Sequence, residues 1–378
     1  MKPQNPQAAA LVEEVRAFVS TLDPLPYDAD LERHFHSLVR VQRQLHAAGL
    51  AVVSWPVKYG GRGLGPADGA TVSWQLGREG CPEVINFLAL EVVAPGLMQH
   101  ATDEQLERWL PAMAPAEEIW CQLFSEPDAG SDLASLRTVA EQRDDGSYRA
   151  TGTKVWSTWA QFADRGLLLA RTGPLDTKHR GISAFVVDMH TPGITVRPLR
   201  SMTGSVEFAE VILEDVEIAA ENMVGEPGDG WAIAMSMLSA ERGTYPIRRS
   251  SVLSAALARL RTTVVDRTLT ETERLGIVDA TIALQLLEWR TDALVASLEQ
   301  GHTLGPETGM TKMLLTQAEQ SIRAAAFDAL GADGLIGDPA TAEVTEDWLY
   351  SRAASIYGGS AQIQRNILGE RMLGLPRS

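Results

Sequence analysis

Ser125-Glu126-Pro127-Asp128-Ala129-Gly130-Ser131-Asp132 is the stretch that decides how this chain is read. It is a small, polar turn that follows an apolar, strand-like run, Ile119-Trp120-Cys121-Gln122-Leu123-Phe124. Pro127 fixes one backbone angle, and Gly130 permits conformations that other residues avoid. Ser125 and Ser131 bring hydroxyls to either side of the turn, with backbone N–H groups between them. Such a loop can hold a polar, anionic cofactor beside a rigid sheet. Taken alone, a segment of this composition reads first as an ordinary capped turn.

A second signal, Gly152-Thr153-Lys154-Val155-Trp156-Ser157-Thr158-Trp159, begins twenty-one residues after Ser131. In this order and at this separation, the two segments resemble the flavin-binding signatures of the acyl-CoA dehydrogenase family. The resemblance implies FAD as cofactor. It places Ser125 at the pyrimidine end of the flavin, with backbone contacts from Leu123 and Phe124 beside it. It puts Gly130 and Ser131 at the cofactor, with Ser131 at the pyrophosphate and also beside the substrate, and Trp156 against the isoalloxazine. Ser157 and Thr158 follow, with Thr158 near flavin N5. Without the motif, Trp156 reads as a core tryptophan in a strand. Trp159 departs from the small residue or Asn usual there, which implies a narrower pocket or a surface for an acyl group to stack on.

The bulk composition sets limits. The chain has 378 residues, enough for two or three cores. Its formal charge is −16, with a pI near 4.9. Phosphate binding by nucleic-acid proteins needs clustered Lys and Arg, so the charge argues against that role and against an anionic membrane surface. The two cysteines, Cys81 and Cys121, suggest free buried thiols, and no Cys/His cluster has metal-ligand spacing. Neither a signal-peptide core nor a membrane-spanning run is evident, and a cytoplasmic protein is expected.

Along the chain the hydrophobic period changes twice. Residues 8–115 read as helical, with Leu11, Val15, Phe18 and Val19 at helical spacing. The loop Trp55-Pro56-Val57-Lys58-Tyr59-Gly60-Gly61-Arg62-Gly63 lacks a P-loop ending and reads as a structural connector. Short β-type runs follow at Tyr148 to Val155, Gly166 to Ala170, Ile182 to Val187, Ile194 to Val196, Val206 to Phe208 and Val211 to Val216. Asp144-Asp145-Gly146 signals a hairpin. From Gly230 the helical period returns, over Trp231–Ala240, Val252–Val265, Leu275–Glu299, Met310–Leu330 and Ala342–Tyr357. The expected fold is α+β and mostly α: an N-terminal helical domain (1–118), a middle β domain (119–225) and a C-terminal helical bundle (226–378). This order matches the family architecture over nearly the whole chain.

Two C-terminal elements depart from the family pattern. Phe327-Asp328-Ala329-Leu330-Gly331-Ala332-Asp333-Gly334 stands where the family contacts the adenosine of FAD held mainly by another subunit. The resemblance gives Asp328 and Gly331 that role, while a plain helix cap at Gly331 reads equally well. Tyr357-Gly358-Gly359-Ser360-Ala361-Gln362-Ile363-Gln364-Arg365 resembles the family's Tyr-Glu-Gly-Thr element. It implies that Ser360 contacts cofactor and that Tyr357 and Gly358 line the substrate site. Gly358 stands where many members carry the catalytic glutamate, and it cannot accept a proton.

Some branches of the family place that glutamate on an earlier helix, which matches Glu241 here. Ile233, Met237 and Glu241 fall at i, i+4 and i+8, on one helical face. A carboxylate continuing an apolar stripe is paired or functional, and burial raises its pKa toward the range that suits a general base. A salt bridge is the structural alternative. Arg242 matches a substrate-contacting position and reads equally as an interface charge.

The implied reaction is FAD-dependent α,β-dehydrogenation of an acyl thioester, on CoA or a carrier protein, to a trans-2-enoyl thioester. An electron-transferring flavoprotein is the implied acceptor. The implied assembly is a homo-oligomer, dimer or tetramer, or a heterotetramer. A non-catalytic partner subunit and a flavin oxidase or monooxygenase are the alternatives.

Overall fold

In the computed structural model, described residues are 5–23, 25, 30–302, 304–335 and 341–376, without the side chains of residues 241, 242 and 244. Five helices come first: α1 (Pro6–Val19), α2 (Leu31–Ala47), α3 (Pro66–Arg78), α4 (Ala94–His100) and α5 (Asp103–Met113). Asn5, Asp30 and Thr102 cap α1, α2 and α5 by accepting first-turn N–H groups, as short polar side chains do at N-caps. The glycine-rich connector is structural, as the sequence suggested. Tyr59 is buried in the core, and a Cβ on Gly61 would overlap the Trp55 carbonyl oxygen at 2.0 Å.

The middle of the chain forms one eight-stranded sheet. Its strands are β1 (Trp120–Leu123), β2 (Val139–Gln142), β3 (Tyr148–Thr158), β4 (Arg165–Arg171), β5 (Ile182–Asp188), β6 (Ile194–Leu199), β7 (Phe208–Ile218) and β8 (Met223–Val224). The order is β6-β7-β3-β2-β4-β5-β8, and β1 pairs with β4 in parallel. Strands β4 and β5 are apolar runs because both their faces are covered. Leu167, Leu169, Ile182, Ala184 and Val186 pack against the helices, while Leu168, Ala170, Phe185 and Val187 pack against Val211, Leu213 and Val216 of β7. The hairpin at Asp144-Asp145-Gly146 closes β2 onto β3, with Gly146 at φ +87. Strand β2 was not evident in the sequence, and Val206–Glu207 precedes β7 instead of forming a strand.

Among the described residues, five helices follow: α6 (Gly230–Val264), α7 (Glu271–Glu299), α8 (Thr308–Leu330), α9 (Ala342–Tyr350) and α10 (Ala361–Arg371). The two expected helices at 231–240 and 252–265 are one continuous α6 of 35 residues, with Pro246 inside it. Proline removes one intrahelical N–H, which leaves the Arg242 carbonyl without its usual donor. The expected helix to Tyr357 ends at Tyr350, followed by a tighter turn at Ser351–Ser355. Ile233 and Met237 are fully buried in the core that joins helices and sheet. A Cβ on Gly96 of α4 would meet Met237 at 2.3 Å, so α4 and α6 touch there.

Among the described residues, no helix is long and apolar enough to cross a membrane. No group of three or more His, Cys, Asp or Glu among them could hold a metal ion. Cys81 and Cys121 are free and buried, and burial pushes the Cys121 thiol up to about 12.

Candidate active site

The structure brings the two sequence signatures together through one buried ion pair. Lys154 on β3 donates to Glu126 Oε1 at 2.8 Å and to the Phe124 carbonyl at 3.1 Å. The Glu126 carboxylate also accepts from the backbone N–H groups of Arg137 (2.6 Å) and Thr138 (2.9 Å). The Val155 N–H bonds to the Ser125 carbonyl at 2.9 Å. Burial pushes Glu126 up, but the adjacent ammonium outweighs it and holds the carboxyl below its usual range. Burial lowers Lys154 to about 8, with Glu126 opposing the fall.

A second anchor had no sequence signal. Buried Arg171 on β4 donates to the carbonyls of Ala134 (2.5 Å), Leu136 (2.8 Å) and Lys178 (2.8 Å). It fixes the chain after Ser131, so the loop is held at both ends. Between the anchors, Gly130 and Ser131 are exposed. Gly130 is not in the left-handed region, contrary to the conformational role expected for it, and a Cβ there would meet nothing within 4 Å. The open space in front of it, not backbone strain, is what glycine supplies.

Leu123 and Phe124 are buried, and Ser125 is half-buried at the start of the loop. On β3 a bulge between Lys154 and Ser157 puts Trp156 at φ +62. The bulge turns the indole out of the sheet, where it is 61% exposed and meets Phe208 edge-on at 6.0 Å. Trp156 is therefore not a core tryptophan. Ser157 Oγ is buried and has no partner, as is Gln122 Nε2 on β1. Thr158 is half-buried, opposite Phe208 in the ladder. An exposed aromatic plate, an orphaned buried hydroxyl and an open polar loop together fit a bound flavin.

Trp159 corrects the expectation of a pocket residue. It sits at φ +58, its N–H donates to the Glu207 carbonyl at 2.8 Å, and its ring is buried with Phe35 and Phe162. The N-terminal helices cover it.

At the C-terminal side, Gly358 and Gly359 have φ of +63 and +91. Their carbonyls accept from buried Gln364 at 3.1 and 3.3 Å. A side chain at position 358 would be strained in this turn. Ser360 caps α10 by accepting from the Ile363 N–H, so its hydroxyl already serves the fold. Asp328 and Gly331 lie exposed at the end of α8, where the Gly331 N–H caps onto the Asp328 carbonyl and Gly331 takes φ +58.

Tyr357 is half-buried, with the Lys312 ammonium 3.9 Å from its ring. Rings at 6.5, 6.5 and 6.0 Å link it through Tyr350 and Phe208 to Trp156. The Glu207 carboxyl belongs to the same region, and burial, with Glu346 and Glu83 nearby, pushes it up to about 7. Nothing in the local sequence pointed to it.

Position 241 lies within α6, two turns beyond buried Ile233 and one beyond buried Met237. The side chains of Glu241 and Arg242 lie outside the described residues.

Comparison with known proteins covers the whole architecture. Residues 5–117 match the N-terminal domain of acyl-CoA dehydrogenases, residues 121–216 the middle domain and residues 228–373 the C-terminal domain. The chain is 36% identical to acyl-CoA dehydrogenase IpdE1 of Mycobacterium tuberculosis, over 89% of this chain and 87% of that protein. It is also 36% identical to acyl-CoA dehydrogenase FadE34 of the same organism, over 98% of this chain but 49% of FadE34. Its fold matches a chain of the ChsE4-ChsE5 complex from Mycobacterium tuberculosis with TM-score 0.83 and 27% identity, covering 100% of both chains.

Proposed function

The chain belongs to the acyl-CoA dehydrogenase family of FAD-dependent oxidoreductases, and from that premise we propose that it oxidises an acyl-CoA thioester to the trans-2-enoyl thioester with Glu241 as base. One observation carries the assignment. Position 241 continues the buried Ile233–Met237 face of α6, while the family's alternative position is a left-handed glycine.

FAD, when bound, supplies the acceptor for the hydride. Ser125, Ser131, Gln122 and Ser157 would hold its polar atoms, and Trp156 its ring system. Asp328, Gly331 and Ser360 stand as adenosine-side contacts for FAD held by a neighbouring subunit. The α-carbon is acidic only weakly, so its proton must pass to a carboxylate already in place. Glu241 takes that proton as the α-C–H bond breaks. The β-C–H pair departs as hydride, and the carbon–carbon double bond forms. Arg242 and Tyr357 line the thioester end, and the absence of a side chain at Gly358 leaves room there. Buried Leu97 of α4 and Ile233 and Met237 of α6 would give this side of the site apolar walls, which strengthens the electrostatics of proton transfer.

A second reading has a specific observation behind it. FadE34 is about twice this chain's length, and ChsE4-ChsE5 is a complex of two chains. The protein then works as one member of a heteromeric pair, with the adenosine contacts supplied across the interface. Expression alone, followed by the flavin spectrum and anaerobic addition of an acyl-CoA panel, tests both readings. Bound flavin bleached by an acyl-CoA supports the catalytic reading. A chain that holds no flavin until co-expressed with a partner supports the second.

A further inference from the structure

Helix α6 carries a polar stripe beyond its base position. Tyr245 and Arg249 follow position 241 at i+4 and i+8, on the same side of the helix, with Arg249 about 12 Å along its axis. Tyr245 stacks on Phe87 at 5.6 Å. Arg249 pairs through Nη2 with Glu319 Oε1 of α8, and the two side chains are 17% and 2% exposed. Arg249 Nε and Glu319 Oε2 are buried without partners. Native proteins rarely leave such atoms open, because each costs a full desolvation penalty.

The surroundings are polar as well. Tyr245 and Tyr357 both act electrostatically on Arg249, and Glu83 acts on all three. Tyr245 and Tyr357 are both half-buried. Burial works against the Arg249 charge, and Glu319 outweighs it. Tyr357 leads back to Trp156 through Tyr350 and Phe208.

We propose that Tyr245, Arg249 and Glu319 form a specificity site for a hydroxyl group carried on the acyl chain about 12 Å from position 241. A hydroxyl satisfies both an open donor and an open acceptor. A plain aliphatic chain would leave both unpaired. A carboxylate would meet Glu83 and Glu319 while Arg249 is already neutralised. The inference rests on the proposed function, with Glu241 as the base.

Anaerobic calorimetry on the protein with its FAD chemically reduced beforehand, so that no ligand can pass on a hydride, tests it by binding alone. Three CoA thioesters of equal medium chain length are compared: plain, terminally hydroxylated and terminally carboxylated. The hydroxylated ligand should bind about tenfold or more tightly than the plain one. Tyr245→Phe, which keeps the stack on Phe87, should cut that preference several-fold with plain-chain affinity unchanged. Arg249→Met/Glu319→Met should abolish it. Equal affinity for plain and hydroxylated ligands, a preference for the carboxylated one, or a preference unchanged by Tyr245→Phe would each overturn the proposal. A hydroxyl preference, with no ligand bleaching the oxidised FAD, would leave it standing and count against the proposed reaction.

Discussion

Lys154 Nζ lies 2.8 Å from Glu126 Oε1, and this buried contact joins the two segments that would enclose the flavin. This ion pair, with Lys154 fully buried and Glu126 8% exposed, links them beside the Val155–Ser125 and Lys154–Phe124 bonds. Both residues belong to the motifs by which the chain was recognised, yet neither was expected at the site. Their part is to position the loop.

Lys154→Met removes one partner of this pair and leaves the other charge buried. A loss of about 3–5 kcal/mol is expected, read by urea unfolding. Flavin retention should fall with it, even at denaturant concentrations where helicity is intact. Unchanged stability would show that the pair is not what holds the loop.

The two glycines at the site should behave oppositely. Gly358 has φ +63, so Gly358→Ala should cost about 1–2 kcal/mol. Gly130 has ordinary φ and open space before it, so Gly130→Ala should change stability by less than about 0.5 kcal/mol. That variant should weaken flavin binding, because the methyl group takes space the cofactor would use. A fluorescence titration with FAD beside thermal unfolding separates the two effects.

Glu207 makes stability depend on pH in a defined direction. Its folded pKa, about 7, lies above its ordinary value, so the native state holds the proton more firmly than the unfolded state. That contribution is fully present below the ordinary carboxylate pKa and disappears as pH rises through about 7. Glu207→Gln cannot ionise. Relative to the unmodified protein it should gain roughly 1–3 kcal/mol between pH 5 and pH 8.5. A difference that stays flat across this range would refute the buried-carboxyl assignment.

Much of the fold could be read from the chain because burial on both faces leaves apolar runs such as Leu167–Ala170 and Phe185–Val187. Strand β2 was missed because only Ala140 of Val139–Gln142 is buried, leaving no alternation to see. Helix α6 looked broken because Gly243 and Pro246 punctuate it, yet buried Ile247 and Leu253 hold the continuous helix in place. Trp159 was misread because Phe35, which helps bury its ring, comes from α2, more than a hundred residues earlier in the sequence. Arg171 and Glu207 gave no local signal at all. Their roles arise from carbonyls and carboxyls that only the tertiary fold brings near.

The most direct measurement is anaerobic, single-turnover bleaching of enzyme-bound FAD by an acyl-CoA substrate, comparing the unmodified chain with Glu241→Gln. The account predicts that the variant keeps its yellow colour and binds substrate, but that its flavin is reduced about a thousandfold or more slowly. Reduction at a near-normal rate in Glu241→Gln would contradict it.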